Sequence, residues 1–260
     1  MTQPPIKLVV ATPCFGGMVT HHFMVSVLDL QRATASWGWK MHFTCIGGDA
    51  LVQRARNTLV TLFLNDPDAT HLMFIDADIG FQSAQVRRLL AFDKPLVGGA
   101  YPIKHIDWNA VRERVADGTS HLEAASLQYV IGMPESGAPY EEVDGFASVD
   151  HVGGGFMLIQ RATLLAMIEH HPELTYMTAL AGQNRVIPED EKNVALFESL
   201  IDQKTRRYLP EDYSFCKRWK DMGGEVWIDL RSKLTHVGAY AYNGDLDSLT
   251  RVPGVMPDEA

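Results

Sequence analysis

The chain has 260 residues, of which 46% are hydrophobic, so it can bury a sizeable core as one domain. Its net charge of −9 argues against a nucleic-acid-binding groove, and a phosphate site would need a metal or a few well-placed basic residues. The three cysteines lack zinc-site spacing, the N-terminus lacks signal-peptide regions, and no apolar run could cross a bilayer. We therefore expect a cytoplasmic protein with reduced thiols and no transmembrane segment.

Strands and helices alternate along the first half of the chain. Apolar runs predict strands at residues 6–11, 40–46, 72–75 and 95–100, and helical spacing predicts helices at 21–37, 50–64 and 83–92. This order is typical of a parallel sheet wrapped by helices. Because the Walker and GxGxxG patterns are both absent, we interpret it as a nucleotide-binding α/β unit of another kind.

The second half is less regular. We predict strands at residues 126–131, 149–160, 225–230 and 233–237, and helices at 107–117, 162–170 and from Glu211 to the Gly223-Gly224 pair. Residues 178–207 lack a stable pattern, and we predict a mobile loop there, with one short helix near Leu196, that closes over a bound ligand. Residues 239–260 read as an irregular tail outside a single domain of residues 1–238.

Three consecutive glycines, Gly153 to Gly155, interrupt the predicted strand at 149–160. Glycine inside a strand pattern indicates a bulge or a ligand lying against the backbone. Tight packing under a neighbouring helix explains it equally well.

Two carboxylates follow the buried strand at 72–75, in the order Asp76-Ala77-Asp78. The carboxyl ends of strands in an open α/β sheet form the edge where ligands bind. Two carboxylates there can hold Mg²⁺ or Mn²⁺, and that metal can hold a diphosphate. A solvated turn is the simpler interpretation of Asp-x-Asp alone.

Two later features give that motif a context. Glu211-Asp212 opens a helix, where the helix dipole favours ionised carboxylates, and His236 follows a late strand. The set resembles family 2-like glycosyltransferases of the A-type (GT-A) fold, which carry a DxD motif, a downstream Glu-Asp and a late His. The Arg56-Asn57 element and the DxD motif also resemble Anp1-type mannosyltransferases. The resemblance spans residues 7–238.

This resemblance implies a GT-A (Rossmann-like) α/β fold, with a mixed, mostly parallel sheet flanked by helices. It implies a bound Mn²⁺ or Mg²⁺ with Asp78 and His236 as ligands, and with Asp76 at the metal, its water or the ribose. Such a metal would neutralise the departing diphosphate. Asp212 would be the base for the acceptor hydroxyl, with Glu211 orienting hydroxyl groups.

The remaining predicted site residues would contact the nucleotide sugar. They are Thr12, Pro13, Cys14, Phe15, Asp49, Arg54, Ala77, Gly98, Gly99, Tyr101, Gly154 and Gly155. Arg54 and Arg56 are two residues apart and point to different helix sides, so we expect Arg54 to face the nucleotide and Arg56 to be solvated or paired. Asp49 could instead cap a helix, and we expect the ring of Phe15 to pack in the core.

The function predicted from these motifs is a metal-dependent glycosyltransferase. Its donor would be a UDP- or GDP-sugar and its acceptor a glycan, a lipid or a small molecule. One alternative is a nucleotidyltransferase that makes nucleotide sugars, although residues 12–18 lack the Arg or Lys of its basic glycine-rich loop. The other is a non-catalytic module that binds a sugar nucleotide or a glycan. The sugar, the base, the acceptor and the choice between inversion and retention stay open.

Overall fold

The computed structural model describes residues 6–118, 121–132, 141–177 and 193–246. Within these ranges the strands are β1 (Lys7–Cys14), β2 (Lys40–Gly47), β3 (His71–Ile75), β4 (Ile79–Gly80), β5 (Leu96–Gly99), β6 (Pro102–Ile106), β7 (Leu127–Tyr129), β8 (Ile131–Gly132), β9 (Glu142–Val143), β10 (Phe146–Val149), β11 (His151–Val152), β12 (Phe156–Gln160), β13 (Thr175–Tyr176), β14 (Asn193–Val194), β15 (Leu200–Ile201), β16 (Tyr208–Leu209), β17 (Val226–Asp229), β18 (Thr235–Val237) and β19 (Ala241–Asn243). The α-helices are α1 (His21–Ser36), α2 (Val52–Leu64), α3 (Ser83–Phe92), α4 (Trp108–Ala116), α5 (Arg161–His170) and α6 (Glu211–Asp221).

Eight strands form one large mixed sheet in the order β2-β1-β3-β12-β5-β17-β10-β9. Strands β2, β1 and β3 are parallel neighbours, and so are β5 and β17. Strand β12 runs antiparallel between β3 and β5, and β10 runs antiparallel to β17. The predicted fold class, a mixed α/β sheet flanked by helices and compatible with a GT-A-like fold, is confirmed.

A hydrophobic core lies on each face of this sheet. Successive residues of a strand point to opposite faces, so Leu72 and Phe74 of β3 join one core while Met73 and Ile75 join the other. Apolar residues of α2, α5 and α6 cover the first face, and those of α1 and α3 cover the second. Among the described residues, no helix combines the length and apolarity needed to cross a membrane.

Two strands predicted in the second half are each divided in the structure. The run predicted at 149–160 breaks at Gly153 to Gly155, which separate β11 from β12. The run predicted at 126–131 forms β7 and β8, which pair with β6 and β11 in two small sheets. These runs are apolar because they are buried, and burial alone does not indicate where the chain bends.

The predicted mobile loop at 178–207 is wrong for its second part. Residues 178–192 lie outside the described residues. Residues 193–207 form β14 and β15 and the described part holds no helix near Leu196. Leu196 and Phe197 are fully buried, and Phe197 stacks on Phe215 with ring centroids 4.4 Å apart. Apolar contacts with α6 therefore hold the stretch around Phe197 in the core, while residues 203–207 are exposed.

Part of the predicted irregular tail is ordered. Residues of β19 pair with β18, so that His236 lies opposite Tyr242, and Leu246 is only 7% exposed. The described residues after 238 thus support the strand that carries His236. The boundary at residue 238 stays a prediction.

Glycine at position 99 is required by close packing in the middle of the sheet. A Cβ there would lie 2.7 Å from a ring carbon of Phe156 and 2.9 Å from the hydroxyl of Ser232. We expect Gly99→Ala to lower the free energy of unfolding by about 1–3 kcal/mol, because overpacking forces buried neighbours apart. Urea denaturation would measure this loss.

The matched control is Gly16→Ala. A Cβ there has Met18 as its nearest neighbour at 3.6 Å, so we expect a change within about 0.5 kcal/mol. Equal stability of the two variants would contradict the packing role of Gly99.

Candidate active site

The Asp76-Ala77-Asp78 turn lies at the carboxyl end of β3, on the edge of the main sheet. Its backbone is hydrogen-bonded to three other segments. The amide of Asp76 donates to the carbonyl of Gly155 at 3.0 Å. The carbonyl of Ala77 accepts from the amide of Thr20 at 2.9 Å, and the carbonyl of Asp78 accepts from the amide of Val237 at 2.9 Å. The turn is therefore held in place by α1, the glycine triplet and β18.

A buried arginine binds the first carboxylate of this turn. Arg56 of α2 is 2% exposed and donates from Nη2 to Asp76 Oδ1 (2.9 Å), from Nε to Glu211 Oε1 (3.3 Å) and from Nη1 to the carbonyl of Gly154 (3.1 Å). Burial opposes its charge, but the nearby carboxylates outweigh burial and hold the pKa of Arg56 above its ordinary value. Arg56 is thus a permanent cation that joins three segments of the site.

The glycine triplet makes room for the side chains of this site. A Cβ on Gly154 would lie 2.8 Å from Arg56 Cζ, and one on Gly155 would lie 2.8 Å from Tyr101 Cζ. The amide of Gly155 donates to the hydroxyl oxygen of Tyr101 at 3.1 Å, and burial raises the pKa of that phenol well above its ordinary value. Of the interpretations left open by the sequence, the structure supports close packing, and the packing involves site residues.

Asp212 is a carboxylate in the first turn of α6 that two backbone amides hold in place. Its Oδ2 accepts from Gly154 (2.9 Å) and its Oδ1 accepts from Tyr213 (2.8 Å). Burial, with the nearby charge of Glu211, outweighs these hydrogen bonds and the charge of Arg56, and raises the pKa of Asp212 to about 6. We expected the helix dipole to dominate, but burial has the larger effect on this pKa. With a pKa of about 6, the group is still mostly ionised at neutral pH.

Asp78 is the second carboxylate of the turn and faces two basic groups. Its Oδ2 accepts from Lys104 Nζ at 2.5 Å, and its Oδ1 lies 3.5 Å from His236 Nε2. Burial raises the pKa of Asp78, but the nearby His236 and Lys104 outweigh it, and the pKa lies below its ordinary value. The sequence placed Asp78 and His236 in one site, and the structure brings them together.

The donor set of Asp78 and His236 fits a divalent cation that is completed by other ligands. His236 Nδ1 lies 2.7 Å from the carbonyl of Pro102, which can only accept, so Nδ1 is the donor and Nε2 is free to bind a metal. Two atoms that each bond one cation at about 2.1 Å commonly lie about 3–3.5 Å apart. Among the described residues, no cluster of three or more acidic, His or Cys side chains could hold a metal, so phosphate oxygens and waters would supply the remaining ligands.

A cleft of about 760 Å³ opens beside the Asp76-Ala77-Asp78 turn. It is bounded by the loop after β1, the start of α2 and β18, and its lining includes Pro13, Phe15, Asp49, Gln53 and Val237. Phe15 is 72% exposed, so the expectation that its ring packs in the core is wrong. The strand β1 continues to Cys14, which carries Phe15 beyond the sheet edge into solvent.

Several residues predicted to contact the nucleotide are placed elsewhere. Thr12 is fully buried in β1, and the thiol of Cys14 donates to the carbonyl of Met18 at 2.9 Å. Gly98 lies inside β5, where a Cβ would meet Val152 at 3.0 Å. Gly98 and Gly99 both allow close packing against the sheet. Neither glycine lines the cleft.

Arg54 is bound to Asp49 rather than directed into the cleft. Its Nη2 donates to Asp49 Oδ1 at 2.6 Å and its Nε donates to Asp49 Oδ2 at 2.9 Å. Asp49 also accepts from the amide of Leu51, and α2 begins only at Val52, so Asp49 orders the turn that precedes the helix. Asp49 borders the cleft, and a contact of Arg54 with a nucleotide stays a prediction.

We expected Arg56 to be solvated or paired, and it is paired; the sequence also contained a signal that this pairing is buried. Leu59, Val60 and Phe63 follow Arg56 by three, four and seven residues, so all four share the buried face of α2. A charged residue on the apolar face of a helix has to find a partner inside the protein. Lys104 has no comparable signal, because its place in the site depends on how β6 meets β18.

No protein-family model matches the sequence, and no curated protein is significantly similar to it. Among solved structures, A197 from STIV resembles this chain with a TM-score of 0.50 and 14% identity, over 94% of this chain and 92% of that one. A glycosyltransferase involved in the glycosylation of the major capsid of PBCV-1 gives a TM-score of 0.31 and 6% identity, over 62% and 63% of the two chains. The first similarity shows a shared fold, and the second is too weak to show one.

The role of Arg56 as the centre of the site can be tested by stability. We expect Arg56→Met to lower the free energy of unfolding by about 3–5 kcal/mol, because it removes a buried charge and leaves two partly buried carboxylates without their partner. Lys94→Met, which removes an exposed pair with Glu225, is the control and should cost less than about 1 kcal/mol. Urea denaturation of both variants measures the difference, and a small loss for Arg56→Met would contradict this role.

Proposed function

We propose that this protein is a glycosyltransferase that moves a sugar from a nucleoside-diphosphate sugar to an acceptor hydroxyl. The observation that carries the proposal is a metal-capable pair, Asp78 and His236, of which Asp78 lines the cleft. A carboxylate with a pKa of about 6, Asp212, is connected to the same turn through Gly154 and Arg56. A cation held by Asp78 and His236 could bind a diphosphate, and Asp212 could accept the proton of an acceptor hydroxyl. The motif resemblance to GT-A enzymes supports the same assignment.

The donor would occupy the cleft with its base near the loop after β1. The exposed ring of Phe15 offers a flat apolar surface, and the buried carboxylate of Asp49 borders the same space. The diphosphate would then lie against the Asp76-Ala77-Asp78 turn, at the end of β3. UDP- and GDP-sugars both fit this description.

The residues that would hold a divalent cation, Mn²⁺ or Mg²⁺, are Asp78 and His236. Such a cation would supply Lewis-acid neutralisation of the departing diphosphate. Asp76 does not share this task in our proposal, because its Oδ1 is bound to Arg56. Its role is to fix the turn so that Asp78 faces the cleft.

Asp212 is our proposed general base in an inverting transfer. The acceptor oxygen forms a bond to the anomeric carbon, its proton passes to the Asp212 carboxylate, and the bond to the diphosphate oxygen breaks with its electron pair leaving on the diphosphate. A base with a pKa of about 6 is mostly ionised at pH 7 and still accepts a proton readily. The two amide hydrogen bonds fix its orientation.

Metal dependence is the first test of this function. We expect UDP or GDP to bind more tightly with Mn²⁺ than with EDTA, and turnover of the matching nucleotide sugar to stop in EDTA. Asp78→Asn should remove the effect of Mn²⁺ on nucleotide binding in calorimetry, whereas Asp29→Asn on the exposed face of α1 should keep it. Full activity in EDTA would rule out the metal role, and tight nucleotide binding without any turnover would favour a binding module.

The base is tested by the pH dependence of kcat. Since Asp212 must be ionised, kcat should be highest above pH 6 and should fall as the pH drops through about 6. We expect Asp212→Asn to lower kcat by about 10²–10⁴-fold with nucleotide affinity nearly unchanged. Glu211→Gln should shift the acidic limb to lower pH, because the charge of Glu211 raises the pKa of Asp212.

Asp221→Asn, at the exposed end of the same helix, is the control and should leave the pH profile unchanged. A product that retains the anomeric configuration would contradict the base role of Asp212.

A further inference from the structure

Lys104 is a basic residue at the proposed donor site that the motif pattern does not include. Its Nζ lies 2.5 Å from Asp78 Oδ2, whereas the other oxygen of the same carboxylate lies 3.5 Å from His236 Nε2. The ammonium group therefore binds one oxygen of this carboxylate, and the imidazole faces the other. A divalent cation bound by Asp78 and His236 would lie next to the Lys104 ammonium, and the two positive charges would repel each other.

The strand that carries Lys104 also fixes His236. The carbonyl of Pro102, two residues before Lys104 in β6, accepts from His236 Nδ1 at 2.7 Å. The stem of Lys104 runs along Gly238, where a Cβ would lie 3.0 Å from Lys104 Cδ. The stem is thus guided by the backbone, while the side chain of Lys104 is 38% exposed and its end can rotate.

The two cations that pair with the Asp76-Ala77-Asp78 carboxylates differ in their freedom. Arg56 is buried and bound to Asp76, Glu211 and the carbonyl of Gly154, so it cannot move to a ligand. Lys104 makes one ion pair among the described residues, and it makes that pair at the cleft. A flexible ammonium group is well suited to follow a phosphate group.

We propose that Lys104 and the divalent cation exchange at Asp78. In the metal-free protein, Lys104 neutralises Asp78; when the cation binds to Asp78 and His236, the ammonium moves to the diphosphate of the donor and binds its oxygens. This inference rests on the proposed function, because it needs a nucleoside diphosphate in the cleft. It makes Lys104 a donor-binding residue and a competitor of the metal.

The exchange predicts opposite effects of one substitution on two ligands. In Lys104→Met, Mn²⁺ alone should bind about 2- to 5-fold more tightly, because an ion pair of partly exposed groups no longer competes for Asp78. UDP or GDP in the presence of Mn²⁺ should bind about 10-fold more weakly, because a charge-assisted hydrogen bond to phosphate is lost. Lys104→Arg keeps the charge and should restore most of the nucleotide affinity.

The measurements are electron paramagnetic resonance of free Mn²⁺ for the metal and calorimetry for UDP and GDP, neither of which depends on turnover. Lys94→Met, at the opposite edge of the sheet, is the matched control and should leave both affinities unchanged. Unchanged or weaker Mn²⁺ binding in Lys104→Met, or unchanged nucleotide binding, would overturn the exchange. If the wild-type protein binds neither UDP nor GDP in the presence of Mn²⁺, the proposed function itself fails.

Discussion

The buried guanidinium of Arg56 is the constraint on which the site depends. A charge that is 2% exposed must be neutralised and hydrogen-bonded, and Arg56 meets this need with Asp76, Glu211 and the Gly154 carbonyl. These partners come from the end of β3, the start of α6 and the glycine triplet. The need of one cation for partners thus brings together segments that are distant in the sequence.

This arrangement gives the two carboxylates of the Asp-x-Asp motif different tasks. Asp76 points to the buried Arg56 and secures the turn, whereas Asp78 points to Lys104 and His236 at the cleft. Each carboxylate is thus paired with a different cation, one of them buried and the other partly exposed. The two carboxylates of a three-residue motif therefore have different partners: Asp76 is tied to the buried Arg56, and Asp78 faces Lys104 and His236.

The sequence predicts some of these features better than others, for physical reasons. Buried strands such as β1 and β3 appear as apolar runs, and Asp78 and His236 could be placed together through the motif order. The position of β12 could not be predicted, because a strand's hydrophobic pattern does not encode its partners. Arg56 was detectable from its position on the apolar face of α2, while the pairing of Lys104 depends on contacts between distant strands.

The antiparallel strand β12 has a consequence for how the protein folds. It lies between β3 and β5, so these two earlier strands have no direct hydrogen bonds, and the edges that they turn toward each other gain a partner only when β12 arrives. During synthesis, β3 and β5 therefore keep unpaired strand edges until the distant segment of β12 has been made. Gly154 and Gly155 directly precede β12, and inserting that strand brings them against Arg56 and Tyr101. Insertion of β12 into the sheet and packing of the glycine triplet against Arg56 and Tyr101 are therefore one event in folding.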